Sequence, residues 1–139
     1  MKRRQFIKAT AAGTLGITFI PVAANRFVSP LFSATNPDAV WVDGGEPETL
    51  LESAMNALGG MEKFISSGDV VVIKPNMAWD RAPEYAATTN PDLIAAIAKQ
   101  CKNAGAKSVK VFDRTCNNPL RCYRSSKIQK TAEDAGAEV

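Results

Sequence analysis

The sequence predicts an α/β fold, with alternating strands and helices forming a mostly parallel sheet. Three observations predict it. Short apolar runs, above all the β-branched "VVVI" at Val70 to Ile73, alternate with longer stretches whose apolar residues recur at helical spacing. The first two helical stretches open on proline and close on glycine, the usual asymmetry of helix ends. The chain has 139 residues, enough for one domain at most. Its composition, 45% hydrophobic and 22% charged, is that of a globular protein.

The elements can be justified in chain order. Residues 1–24 contain Lys2, Arg3, Arg4 and Lys8 and no acid. An apolar stretch from Ala9 to Ile20 follows, and then Val22 and Ala24 occupy the −3 and −1 positions of a small-residue cleavage site. This is the order of a signal peptide cleaved after Ala24. The stretch from Ala9 to Ala24 includes Thr10, Gly13, Thr14, Gly16, Thr18 and Pro21. It is shorter than the ~20 apolar residues a bilayer span needs. The charged start resembles a twin-arginine signal, Ser/Thr-Arg-Arg-x-Phe-Leu-Lys, through Arg3, Arg4, Phe6 and Lys8. Lys2 and Ile7 depart from that pattern mildly. The resemblance implies a prokaryotic protein handled by the twin-arginine translocase and exported to the periplasm or beyond. Contact with a membrane is then expected only through an uncleaved signal.

Residues 25–38 read as an irregular lead-in, and residues 39–139 as an α/β domain. "AVWV", Ala39 to Val42, is expected to be its first strand. Pro47 opens a helix whose Leu50, Leu51, Ala54, Met55 and Leu58 form one apolar stripe, and Gly59-Gly60 stops it. A short helical turn is expected around Glu62 to Ile65. "DVVVIKP" is expected to be a central strand buried on both faces, as such continuous runs are in parallel sheets. A long loop from Asn76 to Thr89 follows. Its Trp79 and Tyr85 are expected to cover the loop's own small core rather than stack on a substrate. Asn90 caps the next helix, Pro91 is its first residue, and Asp92 complements its dipole. The stripe Leu93, Ile94, Ile97, Ala98 and Cys101 places Cys101 on the buried face. Ser108 to Asp113 is a further strand, and a helix is expected from about Ser125 to Asp134. "AEV" reads as the start of another strand. A sheet that is still incomplete there leads to the expectation that the chain is the first part of a longer protein.

Charge narrows the function. Without residues 1–24 the chain holds 13 basic and 14 acidic residues, so nothing favours nucleic acid. Between Lys99 and Lys130 there are nine bases and one acid, Asp113, a local field that suits an anion. The absence of histidine excludes a His-based triad or a His-ligated metal within these residues. No iron–sulfur or zinc motif occurs within these residues, and no metal ligand set or cofactor is assigned. Cys116 and Cys122 flank a short loop and are a candidate disulfide in an exported protein.

Open parallel sheets bind ligands beyond the carboxyl ends of their strands. Two such ends are present, one offering Lys74 and Asn76, the other Asp113 and Arg114. The start of the Asn90 helix adds Thr88 and Thr89. Lys74 is a candidate anchor for a negative group or, if desolvated, a catalytic amine. Asp113 is a candidate base or hydroxyl ligand, or a structural partner of a nearby cation. Asn76 either orients a ligand or closes the turn after Pro75.

These motifs in this order resemble the family catalogued as domain of unknown function 362. The matching residues are Lys74, Pro75, Asn76, Thr88, Thr89, Pro91, Ala104 to Lys107 and Asp113, within residues 40 to 139. Many relatives continue from the aspartate with Ser-Pro, whereas this chain has Arg114-Thr115-Cys116, so no role shared through that loop is carried over. Some members carry a ferredoxin-like iron–sulfur module whose cysteine run is missing here. The expectation is an exported domain that binds or acts on an anionic small molecule. The alternatives are a non-catalytic exported binding or accessory protein, and a redox protein partnering an iron–sulfur module.

Overall fold

The computed structural model describes residues 29–30 and 37–139. The expected signal peptide, its cleavage point and most of the lead-in lie outside the described residues. Ser29–Pro30 forms strand β1, antiparallel to β2 at Val40–Trp41. Two expectations change here. The lead-in contributes a short strand, and "AVWV" pairs with it instead of joining the parallel sheet. Only two residues of that run form a ladder, and Trp41 is 71% exposed, so little burial ties the run to the main sheet.

Helix α1 spans Pro47–Leu58 and ends at Gly59, whose φ of 102° is the left-handed cap that glycine accepts without strain. A 3₁₀ turn at Met61–Lys63 follows, as expected. Strand β3, Val70–Ile73, runs parallel to β4, Ser108–Val111, with Val71 opposite Val109 and Ile73 opposite Val111. Between them lie a 3₁₀ turn at Pro83–Tyr85 and helix α2 at Pro91–Asn103. Asn90 Oδ1 accepts from the Asp92 amide at 2.8 Å, so the expected cap is formed. The α2–β4 turn passes close to the segment before β3. Gly105 has a φ of 97°, and a Cβ there would stand 3.3 Å from Ser67 Cα.

The helix expected from about Ser125 to Asp134 is found as the second of two short helices, and the stretch before it, read as a loop, is itself helical. Helix α3 spans Pro119–Ser125 and α4 spans Ile128–Asp134, broken where Lys127 takes a φ of 61°. Asn118-Pro119 repeats the Asn90-Pro91 signal, and Asn118 Oδ1 accepts from the Arg121 amide at 3.2 Å. Beyond α4, Glu138 bridges Lys110 in parallel, which is the further strand pairing expected from "AEV".

The core lies on one face of this sheet. Val109 and Val111 are 1% exposed, against Ile94, Ala98 and Cys101 of α2 and Ile128 and Ala132 of α4. Of these, Val109, Val111, Ile94 and Ile128 each stabilise the fold by about 1.5–3 kcal/mol relative to exposure. The other face corrects the expectation for β3. Val70 and Val72 are 55% and 53% exposed, because the helices of the described residues pack on the Val71 and Ile73 side. Among the described residues no helix is long and apolar enough to cross a membrane.

Candidate functional site

The parallel register of β3 and β4 brings Lys74 and Asp113 to the same edge of the sheet. Lys74 Nζ donates to Asp113 Oδ1 at 2.6 Å. The two side chains differ in environment: Lys74 is 67% exposed and Asp113 is 4% exposed. Asp113 also accepts from the Met77 amide at 3.0 Å through Oδ2 and from its neighbour Arg114's amide at 2.9 Å through Oδ1. Burial pushes the Asp113 carboxyl upward, but the Lys74 ammonium and the two amides outweigh it and hold the carboxyl below the ordinary aspartate value.

That arrangement bears on the catalytic reading of both residues. Asp113 is a carboxylate already engaged by three donors, and it fixes Lys74 rather than standing free as a base. Lys74 is no desolvated amine. Its ammonium is anchored on one side by Asp113 and leaves N–H donors facing water. Tyr123 of α3 was not singled out in the sequence, yet it braces this corner. Its hydroxyl donates to the Asp113 carbonyl at 2.9 Å and accepts from the Asp113 amide at 3.1 Å. The only signal for it lay in the Asn118-Pro119 helix start, which sets the helix that carries Tyr123.

Asn76 closes the loop. Its amide donates to Thr89 Oγ1 at 2.9 Å, the Thr89 amide donates back to the Asn76 carbonyl at 2.8 Å, and Asn76 Nδ2 donates to the Ala87 carbonyl at 3.2 Å. Asn76 and Thr89 are therefore brought together, next to Lys74 in sequence, with Asn76 in a structural role. Thr88 Oγ1 is buried and has no hydrogen-bond partner among the described residues. The Arg114 guanidinium has no ion pair among the described residues, whereas Arg121 pairs with Asp80 Oδ2 at 2.6 Å. No cluster of three His, Cys, Asp or Glu side chains that could hold a metal ion occurs among the described residues.

Two further expectations are corrected. Trp79 and Tyr85 do not form a loop core. They are 45% and 71% exposed, and the buried side chain of the loop is Met77. Cys116 and Cys122 are free thiols instead of a bridge. Cys122 sits on the inner face of α3, wholly buried, with its thiol donating to the Ala78 carbonyl at 3.4 Å, while Cys116 is exposed.

Fold and site together define an α/β protein whose parallel strands end in a buried acid and an exposed, acid-anchored lysine. Residues 71–139 match the family described as "Domain of unknown function (DUF362)", a span that includes Lys74, Asn76, Thr88, Thr89, Asp113 and Arg114. A segment is also similar to the "Thylakoid-associated protein sll1697" of Synechocystis sp., 37% identical over 57 residues. That segment is 41% of this chain and 18% of the relative, so the chain spans less than a fifth of the curated relative it matches. No solved structure matches.

Proposed function

We propose that this chain is an exported α/β domain that binds an anionic small molecule beyond the carboxyl ends of β3 and β4. The observation that carries the reading is the Lys74–Asp113 pair. A buried carboxylate holds a mostly exposed ammonium at a fixed point on the ligand-binding edge of a parallel sheet. Anchoring of this kind reduces the freedom the lysine loses when an anion binds. Arg114 adds a second cation at the same strand end, and the Thr88 hydroxyl is an unused polar group in the loop that closes on that edge. Of the two readings, binding without turnover is favoured by the full engagement of Asp113, which leaves the site without a free base among the residues assigned to it.

Export rests on the twin-arginine pattern of Arg3, Arg4, Phe6 and Lys8 and on the small-residue site ending at Ala24. Expression with the native start should yield a mature amino terminus at Asn25 outside the cytoplasm. Arg3→Lys combined with Arg4→Lys should hold the precursor inside, and normal processing of that variant would overturn the export assignment.

Anion binding is tested by thermal unfolding of the mature chain with inorganic phosphate, sulfate or citrate. At least one should raise the melting temperature in a saturable way, and the effect should vanish in Lys74→Met. A ligand that bound only N would stabilise the chain by about 2.7 kcal/mol at a hundredfold excess over its Kd. Equal stabilisation of Lys74→Met would refute the assignment.

A further inference from the structure

The β3–α2 loop carries a feature that the strand-end site does not use. An open cleft of about 400 Å³ is lined by Asp80, Arg81, Ala82, Tyr85 and Ser125. Asp80 is the lining acid, and it is already neutralised. Its Oδ1 accepts from Ser125 Oγ and its Oδ2 from Arg121 Nη2, both at 2.6 Å. With both oxygens taken and the side chain only 16% exposed, this carboxylate presents little to an incoming cation.

Arg81 is in the opposite condition. Its Nη1 donates to the Asp80 carbonyl at 2.9 Å, which orients the guanidinium, and no carboxylate pairs with it among the described residues. The uncompensated charge of the cleft is therefore positive. A guanidinium so oriented retains a planar set of donors suited to a carboxylate.

Tyr85 adds the apolar element. It ends the 3₁₀ turn Pro83–Tyr85 and is 71% exposed. The turn is braced by its backbone: the Tyr85 amide donates to the Ala82 carbonyl at 3.1 Å and the Ala86 amide to the Pro83 carbonyl at 2.9 Å. A large ring held in water on a braced turn, in the same cleft as an unpaired guanidinium, makes an interaction surface with two distinct chemistries.

We propose that this cleft binds a small planar aromatic anion, its ring against Tyr85 and its acid group on Arg81. The site shares no residue with the strand-end edge, so the two proposals stand or fall separately. The test is a heteronuclear NMR titration of the mature chain with benzoate, compared with cyclohexanecarboxylate and inorganic phosphate. Benzoate should shift the Tyr85 ring and Arg81 side-chain signals in a saturable way. Cyclohexanecarboxylate and the Tyr85→Ala variant should each bind about threefold to tenfold more weakly, the range expected for loss of an aromatic pair. Arg81→Gln should remove binding, and Lys74→Met should leave it unchanged. Both cleft substitutions fall on exposed side chains and should leave the fold intact. The proposal is overturned by an absence of saturable benzoate shifts, by equal binding of cyclohexanecarboxylate or phosphate, or by full affinity in Tyr85→Ala and Arg81→Gln.

Discussion

Lys74 Nζ and Asp113 Oδ1 are 2.6 Å apart although the residues are separated by the whole β3–α2–β4 crossover. The parallel register of β3 and β4 makes that contact, and the contact in turn fixes a charged, mostly exposed candidate binding residue at the strand ends. The two partners should therefore fail in different ways. Asp113→Ala deprives the Met77 and Arg114 amides of their acceptor and should cost about 1–3 kcal/mol. Lys74→Met removes a cation that is 67% exposed and should cost less, within the ~0–1 kcal/mol of surface pairs, because the carboxylate keeps its two amide donors. Urea unfolding of the two variants gives the comparison.

The same pair sets a pH dependence. The Asp113 carboxyl lies below the ordinary aspartate value of 3.8 in the folded chain. Its stabilising contribution is thus fully present above that value and is lost as pH falls through the lower, folded value. Unfolding measured between pH 5 and the acid limit, about pH 2, should show a loss of stability that Asp113→Asn lacks. Identical acid profiles would show that other carboxylates govern that range.

Helix caps hold the site from outside. Asn118 starts α3, and α3 carries Tyr123, whose hydroxyl bridges the Asp113 backbone. Asn118→Ala should cost about 1 kcal/mol. It should also raise the amide exchange rate of Asp113. Asn90→Ala should cost a similar amount, with its effect on exchange centred on the start of α2. Hydrogen exchange read residue by residue separates the two.

The thiols make a third independent check. Cys116 is exposed, whereas Cys101 and Cys122 are buried, and burial pushes the Cys101 thiol above its ordinary value. A colorimetric thiol reagent should modify one cysteine per native chain quickly and all three after denaturation. Fast modification of two or three would show that α2 or α3 opens readily.

The parts of the fold that were legible in the sequence are those fixed by local chemistry. Asn90-Pro91, the Cys101 stripe and the glycine stop at Gly105 all belong to one helix and its ends, and each is found where its residues place it. What escaped notice depends on tertiary surroundings. "VVVI" describes an apolar strand, but its pattern cannot say which face the helices cover, and Val70 and Val72 are exposed. Tyr85 is exposed for a similar reason, since Met77 fills the loop's interior. Helix α3 was readable in principle, because Asn118-Pro119 carries the same start signal as Asn90-Pro91, whereas the break at Lys127 has no such signal. Lys74 and Asp113 were legible as candidates, but their pairing follows from strand register, which sequence spacing does not contain.

Lys74, held by Asp113, is the proposed anion anchor of the strand-end edge. Isothermal titration of the mature chain with the inorganic anion that stabilises it most tests this directly, in wild type, Lys74→Arg and Lys74→Met. Binding should be measurable in wild type, weaker but measurable in Lys74→Arg, and absent in Lys74→Met, with affinity falling as salt rises. Affinity in Lys74→Met equal to that of wild type, at the same ionic strength, would contradict that role.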